Sequence, residues 1–368
     1  MRLISDVPLG AFLSGGVDSS AVVASMAGLM QNEPVKTASI GFSDKKFDEL
    51  EYARVVANRY HTDHTEFVVD PDALEVLDDI VRHLDEPFAD ASAIPTYYVS
   101  KMARRKVTVV LSGDGGDETF AGYIQRYYMN RLEDNIRKKI PPFFRENILG
   151  PMAKAYPKAD FLPRPFRLKC FLSNLSRNFE QAYFRDMSFY FLPEMKQKLY
   201  LPDFAAKIDD FNAFSFLEEH FKKNQNPDVT TRVQYVDIKT YLPEDILVKV
   251  DRMSMAHSLE VRSPILDHKL MEFVGRLPSS YKLRGNESKY IFKKMNEKVL
   301  PREILYRKKQ GFCVPLAAWL RGELKEFARE TVFSSESRLS TYFNMAYVQD
   351  LWKRHQGGRR LWHRTFMT

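Results

Sequence analysis

The chain has 368 residues, 44% of them apolar and 28% charged, with a net charge of +7 from 55 basic and 48 acidic side chains. That balance is globular and can bury a substantial core, while length alone admits one large domain or two. No stretch approaches the roughly 20 uninterrupted apolar residues that span a bilayer. No basic run precedes a long apolar one near Met1 as in a signal peptide. Two distant cysteines, Cys170 and Cys313, exclude a disulfide framework or a zinc site and fit a reducing compartment, the cytoplasm.

In chain order, Val7 to Leu13 reads as a short apolar strand ending at Ser14-Gly15-Gly16, and Val17 to Met30 as a helix rich in Ala, Val and Met. A second strand is predicted at Thr37 to Phe42. Asp48-Glu49-Leu50-Glu51 has capping-box character and opens a helix whose face is Leu50, Ala53, Val56, Ala57 and Tyr60. A third strand, Thr65 to Val69, leads to Asp70-Pro71, a cap followed by Pro at the first helical position. Leu74, Leu77, Val81 and Leu84 give the next helix its expected buried stripe. Asp85 to Pro95 reads as a loop, Thr96 to Arg105 as a helix and Val107 to Leu111 as a strand. A second glycine-rich loop follows, Ser112-Gly113-Asp114-Gly115-Gly116-Asp117-Glu118.

After about Tyr128 prolines punctuate a basic, aromatic-rich stretch without strand alternation, and helices dominate, including Glu244 to Ser258 and Lys289 to Lys298. The expected organisation is an α/β core over residues 1–128 with a parallel sheet, then a mainly helical elaboration, 129–368, packed on that core and closing the active site. Late basic clusters such as Lys293-Lys294, Arg307-Lys308-Lys309 and Arg359-Arg360 admit nucleic-acid binding, a solvated face or a site for phosphate anions. No aromatic-interleaved binding module accompanies them, so neither a nucleic-acid nor a membrane partner is expected.

The loop Leu13-Ser14-Gly15-Gly16-Val17-Asp18-Ser19-Ser20 lies between a predicted strand and helix. Glycines let the backbone approach an anion, and the helix start aims N–H groups and its positive dipole end at it. Ser14, Ser19 and Ser20 add hydroxyls, and Asp18 makes sense beside phosphate once a divalent cation intervenes. The Lys of a Walker loop and the spacing of a dinucleotide fingerprint are both absent. A simple glycine turn is the plain alternative. The second loop sits at the carboxyl end of another strand, where open α/β sheets bind ligands, and Asp18 and Asp117 could share one magnesium ion.

Together these segments resemble the synthetase domain of glutamine-dependent asparagine synthetases, a family of ATP pyrophosphatases with the adenine-nucleotide alpha-hydrolase fold. The resemblance runs from Ser5 to about Trp319. Besides the two loops it rests on Ser5-Asp6-Val7-Pro8-Leu9-Gly10, Asp85-Glu86-Pro87-Phe88-Ala89-Asp90-Ala91-Ser92-Ala93-Ile94-Pro95, Val250-Asp251-Arg252-Met253-Ser254-Met255, Leu259 to Asp267, and Arg307 to Phe312. The resemblance implies that Ser14, Gly15, Gly16, Asp18, Ser19 and Ser20 hold the pyrophosphate of ATP and that Leu13, Ile40, Ser112 and Gly113 lie along the adenosine. It makes Asp18 and Asp117 magnesium ligands and Lys289 the cation that neutralises charge on the phosphates. Arg307 and Lys308 would close over released pyrophosphate. The implied substrates are ATP, aspartate and ammonia, with ammonia supplied by a glutaminase domain, and a homodimer is compatible with this reading.

Two features depart from the family. Asp114 stands where well-known members carry Glu, the residue assigned to intermediate formation and amine deprotonation, so the acceptor could be another carboxylate. No Cys follows Met1, and neither Cys170 nor Cys313 has a nearby His, so the glutaminase half is expected to lie outside this sequence. Rival readings are a β-lactam-synthetase-like ligase and, from another class, an RNA- or protein-binding module with a vestigial ATP site.

Overall fold

The computed structural model of the chain describes residues 2–30, 33–42, 48–69, 73–156, 168–188, 191–208, 211–308, 311 and 314–357. It divides into two compact units, Met1–Tyr127 with Asp237–Val314, and Tyr128–Val236 with Pro315–Thr368.

The first unit is built on five strands: β1 (Leu9–Phe12), β2 (Lys36–Phe42), β3 (Asp63–Val69), β4 (Val109–Leu111) and β5 (Glu260–Arg262). All neighbours pair in parallel, in the order β3-β2-β1-β4-β5. The α/β class and parallel sheet expected from the sequence are therefore present. Leu9, Gly10 and Ala11 of β1 lie opposite Val109, Val110 and Leu111 of β4. Side chains of a strand alternate between sheet faces. Leu111 accordingly joins the cluster with Val23, Met26, Val56 and Ile304, while Val110 joins Ala103, Val107 and Leu259.

Helix α1 (Val17–Leu29) is buried at every position from Ser19 to Ala24 and at Met26, which explains its nearly uniform small apolar composition. Helix α2 (Leu50–Tyr60) buries Leu50, Ala53, Val56 and Ala57, the face its periodicity predicts. Its start departs from a reciprocal capping box. The Asp48 carboxylate accepts from the Leu50 N–H at 3.1 Å, and the N-cap residue, Glu49, makes no side-chain capping bond.

Helix α3 (Ala73–Leu84) corrects the predicted stripe. Val76, Ile80 and Leu84 are buried, whereas Val81 is 66% exposed, because the four-residue spacing that ends at Leu84 turns Val81 about 100° away from the core. The predicted Asp70-Pro71 cap lies outside the described residues. Helix α4 (Ala93–Ala103) begins before Pro95, which sits in its first turn where no helical N–H is required.

Further along, Leu242–Leu247 is a π-helical segment and Val248–Met255 an α-helix, in place of the single helix expected over Glu244–Ser258. The predicted Lys289–Lys298 helix is Tyr290–Asn296. β5 was not anticipated. At three residues it is too short for alternation to register, and it places part of residues 129–368 inside the sheet.

The second unit is helical. Phe179, Tyr183 and Phe221 pack edge to face in its interior, with ring centroids 5.5 Å apart in both pairs with Phe221. Among the described residues no helix is long and apolar enough to cross a membrane. Cys170 is exposed, and Cys313 lies outside the described residues.

Candidate functional site

The strand order explains where a site can form. The chain proceeds from β1 to β2 and β3 on one side and returns to place β4 on the other side of β1. Sequential loops on neighbouring strands thus diverge at the carboxyl ends of β1 and β4, the position at which open α/β sheets bind ligands. Both glycine-rich loops leave the sheet at that point.

In the first loop, Gly15 has φ +68°, and a Cβ there would lie 2.6 Å from the Tyr52 carbonyl carbon and 2.7 Å from the Ala53 nitrogen of α2. Glycine is required both by conformation and by space. Ser14 and Ser19 hydroxyls lie 3.0 Å apart, Gly16 N–H donates to Ser14 Oγ at 3.3 Å, and Ser19 Oγ donates to the Gly16 carbonyl. The loop is tied by its own hydroxyls. Ser20 is fully buried, and its hydroxyl has no hydrogen-bond partner. Leu13 is buried at the end of β1, its carbonyl accepting from the Ser39 hydroxyl, and Ile40 lies in the buried run of β2.

The second loop interlocks with the first through its glycines. A Cβ at Gly113 would sit 2.7 Å from Ser19 N and 2.8 Å from Asp18 Cβ, and one at Gly116 would overlap the Asp18 carboxylate. Gly115 takes φ +81° against Leu266, and the short helix α5 (Gly116–Thr119) then carries Asp117 and Glu118. Ser112 is anchored to β5 and the residue after it. Its N–H donates to the Arg262 carbonyl at 2.9 Å, and its Oγ lies 3.1 Å from Ser263 Oγ.

Lys289 completes the arrangement from a segment far away in sequence. It is 5% exposed, and its ammonium contacts Asp18 Oδ2 and lies 2.9 Å from Asp117 Oδ1. Burial alone would push its pKa down, but the Asp117 and Asp18 carboxylates outweigh that and the net shift is upward. Its backbone is left-handed, with φ 54° and ψ 33°. The space it fills is bounded by Gly122, where a Cβ would overlap both Asp117 Oδ1 and Lys289 Cε.

Asp114 stands beside these charges. Burial raises its carboxyl pKa, and Asp18 and Asp117 add to the rise, against a hydrogen bond with Ser112 and attraction from Lys249. Glu118 is 1% exposed, accepts from the Tyr123 hydroxyl at 2.8 Å, and is pushed up to about 7 by burial and by Asp117. Arg307 is held at the first loop. Its Nε donates to the Gly15 carbonyl at 3.2 Å, Nη2 lies 2.7 Å from Glu49 Oε1, and the guanidinium stacks 4.3 Å over the Tyr52 ring. Lys308, paired with Arg307 in the sequence reading, is exposed.

The structure thus brings together the two loops, Lys289 and Arg307, and leaves Lys308 at the surface. Sequence reasoning missed Gly122, Glu49 and the buried pair of Lys249 with Asp90, 2.6 Å apart, which lies beside Ser92. A lysine within a helical segment reads as solvated surface, and only the structure shows that Lys249 is buried and paired. Asp90 did lie within a recognised motif.

The residues present suit a nucleotide with a divalent cation. Glycines leave a cradle that side chains would fill, the buried Ser20 hydroxyl lacks a partner, and Asp18 and Asp117 are hard oxygen donors. Among the described residues no group of three or more His, Cys, Asp or Glu forms a metal cage. A cation here would draw its remaining ligands from phosphate and water.

The chain is 32% identical over 370 residues to asparagine synthetase [glutamine-hydrolyzing] 1 of Bacillus subtilis, covering 98% of this chain and 55% of that protein. It is 34% identical over 365 residues to a putative asparagine synthetase [glutamine-hydrolyzing] of Mycobacterium bovis, covering 97% and 53%. A 146-residue stretch is 46% identical to a putative asparagine synthetase [glutamine-hydrolyzing] 2 of Methanocaldococcus jannaschii, covering 39% and 28%. The chain spans about half the length of the first two relatives. Residues 1–368 match the asparagine synthase family model, and the chain belongs to that family.

Proposed function

We propose that this chain is the adenylating half of a glutamine-dependent amide synthetase of the cytoplasm. A side-chain carboxylate, that of aspartate first, attacks the α-phosphorus of ATP and pyrophosphate leaves. Ammonia then adds to the acyl carbon, AMP departs, and asparagine is formed with loss of one proton. Ammonia would come from a glutaminase domain of the full-length protein. The observation that carries this reading is the Lys289 ammonium lodged between Asp18 and Asp117 at the carboxyl ends of the two central strands.

Each residue has a physical part. The first-loop N–H groups at the start of α1, with Ser14, Ser19 and Ser20, hold the pyrophosphate. Leu13, Ile40, Ser112 and Gly113 line the adenosine. Asp18 and Asp117 would hold magnesium, which when bound supplies neutralisation of phosphate charge. Lys289, whose ammonium lies at these two carboxylates, offsets the charge that builds when two anions meet. Arg307 secures the first loop and contacts the leaving pyrophosphate, with Lys308 reaching in from the surface. Asp114, its affinity for protons raised, accepts the proton of the attacking ammonia.

The test is pyrophosphate release with ATP, magnesium and aspartate, with and without ammonium, alongside exchange of labelled pyrophosphate into ATP. Asp18→Asn and Asp117→Asn should abolish exchange, and normal exchange in either variant sinks the metal assignment. A panel of other carboxylates tests the acceptor, since Asp114 is one methylene shorter than the family's Glu. AMP formation with one of them and not with aspartate would move the assignment to a related ligase.

A further inference from the structure

The adjacent lysines Lys293 and Lys294, on the helix Tyr290–Asn296, meet different surroundings. Lys294 is exposed and pairs with Glu297 at 2.7 Å, a solvated surface pair. Lys293 is half-buried and, among the described residues, has neither an ion pair nor a side-chain hydrogen bond. Its N–H donates to the Lys289 carbonyl at 2.8 Å, so the two lysines stand one turn apart on the same side of the chain. Phe292, between them in sequence, packs on Phe120 with ring centroids 4.6 Å apart and ties that turn to the core. The Lys293 ammonium lies 5.7 Å from the centre of the Tyr306 ring, and the next residue, Arg307, donates to the Gly15 carbonyl of the first loop.

A cation withdrawn from water is costly unless something pairs with it. Glu287 pulls on the Lys293 proton without bonding to it, and Glu287 Oε1 is itself enclosed with no hydrogen-bond partner. Burial and the Lys289 ammonium leave Lys293 below the ordinary lysine pKa, against the attraction of Glu287 and Asp18. The influence of Asp18 sets Lys293 beside the first loop. The other cations there are already matched. Lys289 sits between two carboxylates, and Arg307 is paired with Glu49 at 2.7 Å. A divalent cation at Asp18 and Asp117 would offset those carboxylates and only part of a triphosphate. The remaining phosphate charge calls for an ammonium without a carboxylate of its own, and Lys293 supplies one.

We propose that Lys293 is a second phosphate-contacting cation, its ammonium binding oxygens of the pyrophosphate portion of ATP one helical turn from Lys289. This rests on the reading of the two loops as an adenylating site. The pyrophosphate portion is the part favoured because Lys293 stands on the Tyr306–Arg307 side, toward the first loop, whose N–H groups face those phosphates. Lys289, lodged also against Asp117 of the second loop, serves the reacting phosphate. Adenine, ribose and the phosphate kept in AMP make no contact with Lys293, so it separates ATP and pyrophosphate from AMP.

The test is equilibrium dialysis of the full chain against ATP, pyrophosphate and AMP, each with magnesium. Lys293→Met should weaken ATP and pyrophosphate by about tenfold to a hundredfold, the worth of one charge-assisted hydrogen bond, and leave AMP unchanged. Lys293→Arg should restore most of that loss. Glu287→Gln should weaken neither ATP nor pyrophosphate. In the parent protein, acetylation of Lys293 by acetic anhydride at mildly alkaline pH, followed by mass spectrometry, should be suppressed by ATP or pyrophosphate and not by AMP. Unchanged ATP affinity in Lys293→Met, an equal loss for AMP, an equal loss in Glu287→Gln, or acetylation indifferent to pyrophosphate would each overturn the assignment, as would a parent protein that binds none of the three. Binding and protection as expected, without exchange of pyrophosphate into ATP, would uphold Lys293 and refute the adenylating reading instead.

Discussion

Replacing Gly122 by Ala adds one methyl group at the point where Lys289 and Asp117 meet. The backbone of Gly122 lies outside the left-handed region, so alanine is tolerated conformationally and the effect is purely one of space. That methyl would overlap Asp117 Oδ1 and Lys289 Cε and lie 2.8 Å from Asp117 Cγ. Ordinary contact needs about 3.5–4 Å, so the carboxylate or the lysine must retreat by roughly an ångström. Overpacking of this kind costs about 1–3 kcal/mol of stability. A displacement of about 1 Å in a reacting constellation costs on the order of 10²-fold in rate. The expected outcome is a loss of pyrophosphate exchange of about that size, with a lowered melting temperature but a folded protein. Gly28→Ala is the matched control. It sits in α1 with nothing within 4 Å of the added methyl, so it should leave exchange unchanged and add about 0.5–1 kcal/mol of stability. Wild-type exchange rates in Gly122→Ala would refute the idea that the position of Lys289 against Asp117 matters to the chemistry.

Lys289→Met should lower exchange by about 10²–10³-fold. It also leaves two enclosed carboxylates without their cation, at a cost of a few kcal/mol, so added magnesium should raise its melting temperature more than that of the parent protein. An equal response to magnesium in both would argue against a cation site at Asp18 and Asp117. Arg307→Ala removes the bonds to the Gly15 carbonyl and to Glu49 and leaves that largely enclosed carboxylate without its cation, so it should both raise the KM for ATP, measured by initial rates, and lower the melting temperature. In the second unit, burial and the neighbouring Asp186 push Glu133 up to about 7 from an ordinary value of 4.5. The folded state holds that proton where the unfolded chain has released it, so stability from this group is full below about pH 4.5 and falls as pH rises to about 7, by on the order of 3 kcal/mol. Glu133→Gln should flatten that part of the melting-temperature profile, and an unaltered profile would remove Glu133 as its source.

Much of the α/β core was legible because its signals are local. The apolar run of β1, the small apolar composition of α1 and the spacing of Leu50, Ala53, Val56 and Ala57 each follow from a repeat of two or 3.6 residues. Gly15 and Gly115 stand where φ is positive, and Gly113 and Gly116 where a neighbouring loop comes too close for a side chain, so the glycine loops were visible as loops. Errors arose where neighbours decide. Which side of α3 is buried, Val76 and Ile80 or Val81, depends on what packs against it, and both stripes satisfy the period.

The sequence by itself determined the layered class of the first unit, the two glycine turns and the chemical types available to them. The tertiary structure alone decided that β4 lies against β1, that β5 joins them from beyond residue 250, and that Lys289 reaches both Asp18 and Asp117 across 271 and 172 residues. The reason is one of range. Backbone conformation and periodicity are fixed by neighbours within a turn or a strand, whereas pairing of distant charges, sheet order and burial depend on contacts between segments whose separation along the chain carries no local mark.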